Sequence, residues 1–121
     1  MAAIDVIYYA ENGTAPALEW LAVQPAKVQD KFDWLIGLLE ENGSTLHRPH
    51  AAPLDRKIYE LRARVGKVNY RLLYFFHGAV AAIVAHGCTK EDIVDPADIT
   101  RAVERREKFR LDPNSHTYRE E

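Results

Sequence analysis

The chain carries a single cysteine, Cys88, in 121 residues, so no internal disulfide staples it. That usage fits a reducing compartment. No apolar run approaches the roughly 18 residues that a membrane helix needs; the longest is Ala79–Ala85. No basic leader with a following apolar stretch opens the chain, so a secretory signal is not expected. G-x-G-x-x-G and G-x-x-x-x-G-K-[ST] are both missing, and with them a phosphate-cradling glycine loop. G-x-S-x-G is missing too. One cysteine excludes a thiolate zinc site. His47 and His50 stand three apart, but in a proline-rich loop rather than on a helix, and no metal or other cofactor is expected. There is no internal repeat or low-complexity stretch.

What is present is ordinary globular material, 47% apolar and 28% charged. A chain of this length buries about two-thirds of its extended surface, enough for a core. The expectation is a soluble, cytoplasmic protein with one domain over residues 1–113 and a polar, frayed tail over 114–121. The net charge of −2 conceals an asymmetry. Residues 1–46 carry two lysines against seven carboxylates, whereas residues 47–71 carry seven Lys/Arg against two. The basic block is Arg48, Arg56, Lys57, Arg62, Arg64, Lys67 and Arg71. The overall balance argues against a general nucleic-acid binder, but the local block makes a local positive field suited to a polyanion.

Hydrophobic spacing outlines the elements. Ile4–Ala10 is a short apolar and aromatic run suited to a strand. Thr14 is placed to cap a short helix with Pro16 in its first turn. Pro25 breaks the chain, and Val28, Phe32, Leu35 and Leu39 then form one helical stripe ending at Asn42-Gly43. Residues 44–57 read as a loop. Beyond it the period becomes two: Tyr59, Leu61, Ala63 and Val65 alternate with Glu60, Arg62 and Arg64. Gly66-Lys67 and His77-Gly78 are turn signals, so this strand, Val68–Phe76 and Val80–His86 form an antiparallel meander. The last of these is apolar throughout, as a strand covered on both faces would be. Asp95 and Pro96 open a final helix with Ile99, Ala102 and Val103 on its buried side and Glu104–Lys108 as an i, i+4 pair. The order is β-α-α-β-β-β-α, an α+β domain with a mostly antiparallel sheet.

Candidate chemistry lies on the wet side of the meander. Arg62 and Arg64 project from one face of their strand, and the turn brings Arg71 back beside them. Guanidiniums present forks of N–H donors to phosphate oxygens. Glu60 on the same face is placed to pair with either neighbouring arginine, which is the plain structural alternative. His86 is the nearby side chain whose reference pKa lies near neutrality. By simple alternation it shares a face with Ala82 and Val84, which would make it a buried, hydrogen-bonded histidine.

Tyr59-Glu60-Leu61-Arg62-x-Arg64, Tyr70-Arg71-Leu72-Leu73-Tyr74-Phe75-Phe76, then Ile83-Val84-Ala85-His86-Gly87 and Lys90 together resemble the HigB-like, phage-derived branch of the RelE/ParE toxin superfamily. The resemblance spans roughly residues 3–111. It implies the toxin of a type II toxin–antitoxin pair and, in the ribonuclease members, metal-independent cleavage of mRNA on the ribosome. Carried onto this chain, it implies Arg71, His86 and Lys90 as catalytic residues. Arg62 and Arg64, with Arg56, Lys57 and Lys67, would hold RNA phosphates. The implied partners are mRNA, the ribosome and a cognate antitoxin, a helix-turn-helix protein from an adjacent gene, with no membrane. The chain departs from the branch after Gly87: one lysine is kept, and Glu91, Asp92 and Asp95 reverse the local charge. Two alternatives stay open on that account: a ParE-like toxin that inhibits gyrase without cleaving anything, and an inactive phage-derived protein that binds a partner.

Overall fold

The computed structural model describes residues 3–89 and 93–120. In chain order the elements are β1 (Asp5–Tyr8), α1 (Pro16–Ala22), α2 (Ala26–Asn42), β2 (Ala51–Pro53), β3 (Tyr59–Val65), β4 (Val68–His77), β5 (Ala81–Thr89) and α3 (Pro96–Leu111). They build one five-stranded sheet in the order β1-β5-β4-β3-β2. β1 runs parallel to β5, and every other pairing is antiparallel.

Local chemistry explains most boundaries. The α2 stripe of Val28, Phe32, Leu35 and Leu39 is fully buried, and Gly43, at φ 55°, closes the helix by donating its N–H to Leu39. Asp95 caps α3 by accepting the Ala97 N–H at 2.9 Å, with Pro96 at the first helical position. Gly66, at φ 64°, takes the first central position of the two-residue turn between Val65 and Val68. At α1 the expected cap is displaced. Ala15 occupies the N-cap without a side-chain bond, because Thr14 is committed to a tight backbone pairing with Glu11 across Asn12-Gly13. On α3, Glu104 pairs with Arg101 rather than Lys108, which reaches Glu11 instead.

Residues 44–57 are not all loop. Ala51–Pro53 pairs with Tyr59–Leu61 as β2, so the order becomes β-α-α-β-β-β-β-α. Three residues carry no readable period, and Pro53 is tolerated because the strand lies at the sheet edge. The polar tail also docks. His116 stacks on Tyr9 at 5.1 Å, its backbone carbonyl accepts from the Ala10 N–H, and the Tyr118 N–H donates to Tyr8.

The sheet separates two cores. Leu61, Ala63, Leu72, Tyr74, Ala82 and Val84 face α1 and α2. Leu73, Phe75, Ile83 and Ala85 face Ile99, Ala102 and Phe109 of α3. β5 is thus covered twice, and Ala81–Ala85 are all buried.

Candidate functional site

Alternation places Glu60 and Arg62 of β3 and Arg71 of β4 on the α3 side of the sheet, with Arg62 and Arg71 direct cross-strand partners. On β5 strict alternation fails. Tyr74 pairs with Val84, yet Leu73 pairs with His86, leaving Ala85 as the extra residue of a β-bulge. The bulge reverses the parity expected for His86. It lies opposite Leu73, not with Ala82 and Val84, and Cys88 lies opposite Arg71. Glu60, Arg62, Arg71 and His86 therefore share one face.

The centre of that face is a buried ion pair. Arg71 is 2% exposed and Glu60 5%. Arg71 Nε lies 3.1 Å from Glu60 Oε1, a charge contact whose N–H direction misses the oxygen. The other carboxylate oxygen lies 3.9 Å from Arg62 Nε, and Arg62 is the partly exposed member. Glu60 thus sits between two guanidiniums. The sequence signal that singles Glu60 out is that it is the lone acid on the wet face of a basic strand.

His86 is held by α3. Its Nε2 lies 2.7 Å from Asp98 Oδ1, and Arg105 Nη1 lies 3.3 Å from its Nδ1 while donating to the Ala85 carbonyl at 2.6 Å. A guanidinium only donates, so Nδ1 accepts and the ring proton sits on Nε2, facing Asp98. Burial pushes the imidazole below its ordinary pKa, against the pull of Asp98 and with help from Arg105 and Arg101. His86 is therefore a neutral imidazole that ties β5 to α3.

His86, Cys88 and Asp98 form a ligand-type cluster that spacing did not reveal, their donor atoms lying within 4.8 Å of one another. Nitrogen, sulfur and carboxylate donors suit zinc. Coordination through Nε2 would move the ring proton to Nδ1, against the Arg105 donor. The tautomer that Arg105 enforces opposes a cation there.

The remaining predicted residues scatter. Arg56 and Lys57 occupy the β2–β3 turn, both left-handed at φ 54° and 61°. Arg56 is engaged with Asp55 and with Thr100 of α3. Lys67 is exposed at the opposite end of β3, so these three do not converge. Lys90, Glu91 and Asp92 lie outside the described residues. Arg64 reaches the free edge of β3 beyond β2, where Arg62 also arrives. There the two line an open groove of about 690 Å³ with Lys31 and Trp34 of α2, His50 and Asn69.

Gly87, in the His-Gly pair, has a packing reason. A Cβ there would lie 2.2 Å from the Trp20 ring of α1.

The model of the phage-derived protein Gp49-like family (DUF891) matches residues 19–107, about three-quarters of the chain. The chain belongs to this phage-derived, toxin-like family, which lies within the RelE/ParE-like toxin superfamily. A search of curated proteins finds no match to it. Among the described residues no helix is long and apolar enough to cross a membrane.

Proposed function

We propose that this chain is the toxin of a type II toxin–antitoxin pair, of the HigB-like branch, and a cytoplasmic endoribonuclease that cleaves mRNA on the ribosome. The observation that carries the reading is the Ala85 bulge, which turns His86 onto the face that already holds Glu60, Arg62 and Arg71. Family membership supports the toxin role and the expectation of an antitoxin partner.

The reaction this face suits is attack of a ribose 2′-oxygen on the adjacent phosphorus. The O2′–P bond forms, the P–O5′ bond breaks, and a cyclic phosphate results. The 2′ proton must go to a base and the departing 5′ oxygen must gain one. Arg71 and Arg62 stabilise the phosphate charge, with Arg64 extending the positive field. A preorganised donor of this kind contributes about 2.7–4 kcal/mol to the transition state. Glu60 is the group that takes the 2′ proton and, once protonated, returns it to the departing 5′ oxygen; His86 enters the transfer only when substrate replaces its Asp98 or Arg105 contact. Substrate must draw Arg71 away from Glu60, which frees the carboxylate to accept a proton as the guanidinium turns to phosphate. No step needs a metal, so any cleavage by the purified protein without ribosomes persists in a strong chelator.

One observation favours a second reading: Arg71 is buried and matched by Glu60, as in a structural ion pair of a ParE-like gyrase inhibitor or an inactive partner-binding protein. Induction in cells with mapping of mRNA 5′ ends separates them. New ends in the wild type, missing in a folded Glu60→Gln/Arg71→Met variant, are expected. Growth arrest without new ends would establish the gyrase-type reading, and no arrest the inactive one.

A further inference from the structure

The groove at the free edge of β3 has chemistry of its own. Lys31 and Trp34 stand one turn apart on α2, and Arg62 and Arg64 stand two apart on β3, so two short rows face each other across it. The Lys31 ammonium donates to the Arg64 carbonyl at 3.3 Å and covers an edge position that has no strand partner. Among the described residues that line the groove there is no carboxylate. Asp33, on the same helix, faces Tyr8 of β1, at the opposite edge of the sheet.

Trp34 is the unusual member. A core-packing tryptophan would be covered, but this one is 53% exposed. Its ring is held by His50 in an edge-to-face contact, centroids 5.1 Å apart and planes at 87°. That contact braces the indole, which lines the groove together with Lys31, Arg62 and Arg64. An exposed, immobilised indole beside guanidiniums is the combination that binds single-stranded nucleic acid: a base stacks on the ring while its phosphates meet the cations. An acidic peptide would use the cations but has no need of a flat aromatic ring. Duplex nucleic acid offers no unstacked base.

We infer that the α2–β3 groove is a single-stranded RNA subsite in which a base stacks on Trp34 and the flanking phosphates contact Lys31, Arg62 and Arg64. The RNA assignment rests on the function proposed above. Arg62 joins the two regions, since it lines the groove and also approaches Glu60 at 3.9 Å. A strand seated on Trp34 is thereby led toward the Glu60–Arg71 face, and the groove positions RNA beside the site of cleavage.

The test is a fluorescence titration of the full chain with a 2′-O-methyl oligoribonucleotide of about eight residues, which binds without being cut. Trp20, the other tryptophan, packs on Phe32, Tyr70 and Gly87, so quenching reports Trp34. Expected are quenching by the single strand, none by the matching duplex, and about tenfold or greater weakening for Trp34→Ala, in line with about 1–3 kcal/mol per stacked base. Trp34→Phe retains most of the affinity, and circular dichroism verifies that each variant is folded. Unchanged affinity in folded Trp34→Ala overturns the inference. So does equal quenching by polyglutamate, which would assign the groove to an acidic protein segment. These results are separable from the cleavage reading. New mRNA ends with Trp34-independent binding would retain the ribonuclease and remove the subsite. Trp34-dependent binding without new ends would retain the subsite and remove the ribonuclease.

Discussion

Replacing Arg71 by methionine probes whether the centre of the candidate site is desolvated. Methionine fills much of the arginine's volume, so the main loss is charge. Among the described residues it leaves Glu60, 5% exposed, with Arg62 at 3.9 Å as the remaining counter-charge. Removing one partner of a buried ion pair costs about 3–5 kcal/mol because the other charge stays buried. The surviving Arg62 contact brings the expectation to the lower end, about 3 kcal/mol. For a chain of this length that lowers the melting temperature by about 10–15 °C. Glu60→Gln removes the opposite charge, and Glu60→Gln/Arg71→Met removes both. The double variant should return to within about 1 kcal/mol of the wild type, since a buried pair exchanged for groups of similar volume is often close to neutral. The coupling from the cycle is then about 2–3 kcal/mol plus the cost of Glu60→Gln alone. Urea denaturation of the four proteins measures it, and the folded double variant is the one to carry into the cleavage assay. A loss below about 1 kcal/mol in Arg71→Met, or a double variant that merely sums the singles, would refute the claim that this pair is shielded from water.

Gly87→Ala should destabilise by about 2–3 kcal/mol or more, because its Cβ would meet the Trp20 ring at 2.2 Å; a wild-type denaturation midpoint would show that α1 gives way freely. His86 is held below its ordinary pKa by burial first, so the unfolded chain takes up a proton near pH 6.5 before the folded one does. Its contribution is thus complete above about pH 6.5, falls as pH drops from there toward the lowered folded value, and levels off below it. His86→Gln should flatten that segment of the stability–pH curve, and an unchanged slope would count against the assignment. Ending the chain after Pro113 uncovers the fully buried Tyr9 and removes its His116 stack and two backbone hydrogen bonds. A loss of about 2–4 kcal/mol is expected from calorimetry, and no loss would mean that the tail is dispensable.

Much of the scaffold was legible because it is written in local chemistry. The Val28–Leu39 stripe, the alternation over Tyr59–Val65, the turn at Gly66 and the Asp95-Pro96 helix start each depend on spacing within a few residues, and each lies where those rules put it. The same alternation placed Arg62 and Arg71 on one face. Other features depend on partners far away in sequence. β2 is a strand because Tyr59–Leu61 offers it a ladder, not because three residues carry a period. A single unpaired residue, Ala85, reverses the facing of His86, and nothing in Val84-Ala85-His86 announces it. Whether Arg71 meets water or Glu60 is decided by the packing of α3 over the sheet. Trp34 lies off the buried stripe of α2 and gains its meaning only where the end of β2 leaves an edge of β3 open beside it. Sequence by itself determined the longer elements, because helix and strand periods are properties of neighbouring residues. Only the tertiary structure decided which charges are buried, which imidazole nitrogen carries the proton and which aromatic ring is left exposed, because burial and hydrogen bonding depend on what distant segments bring together.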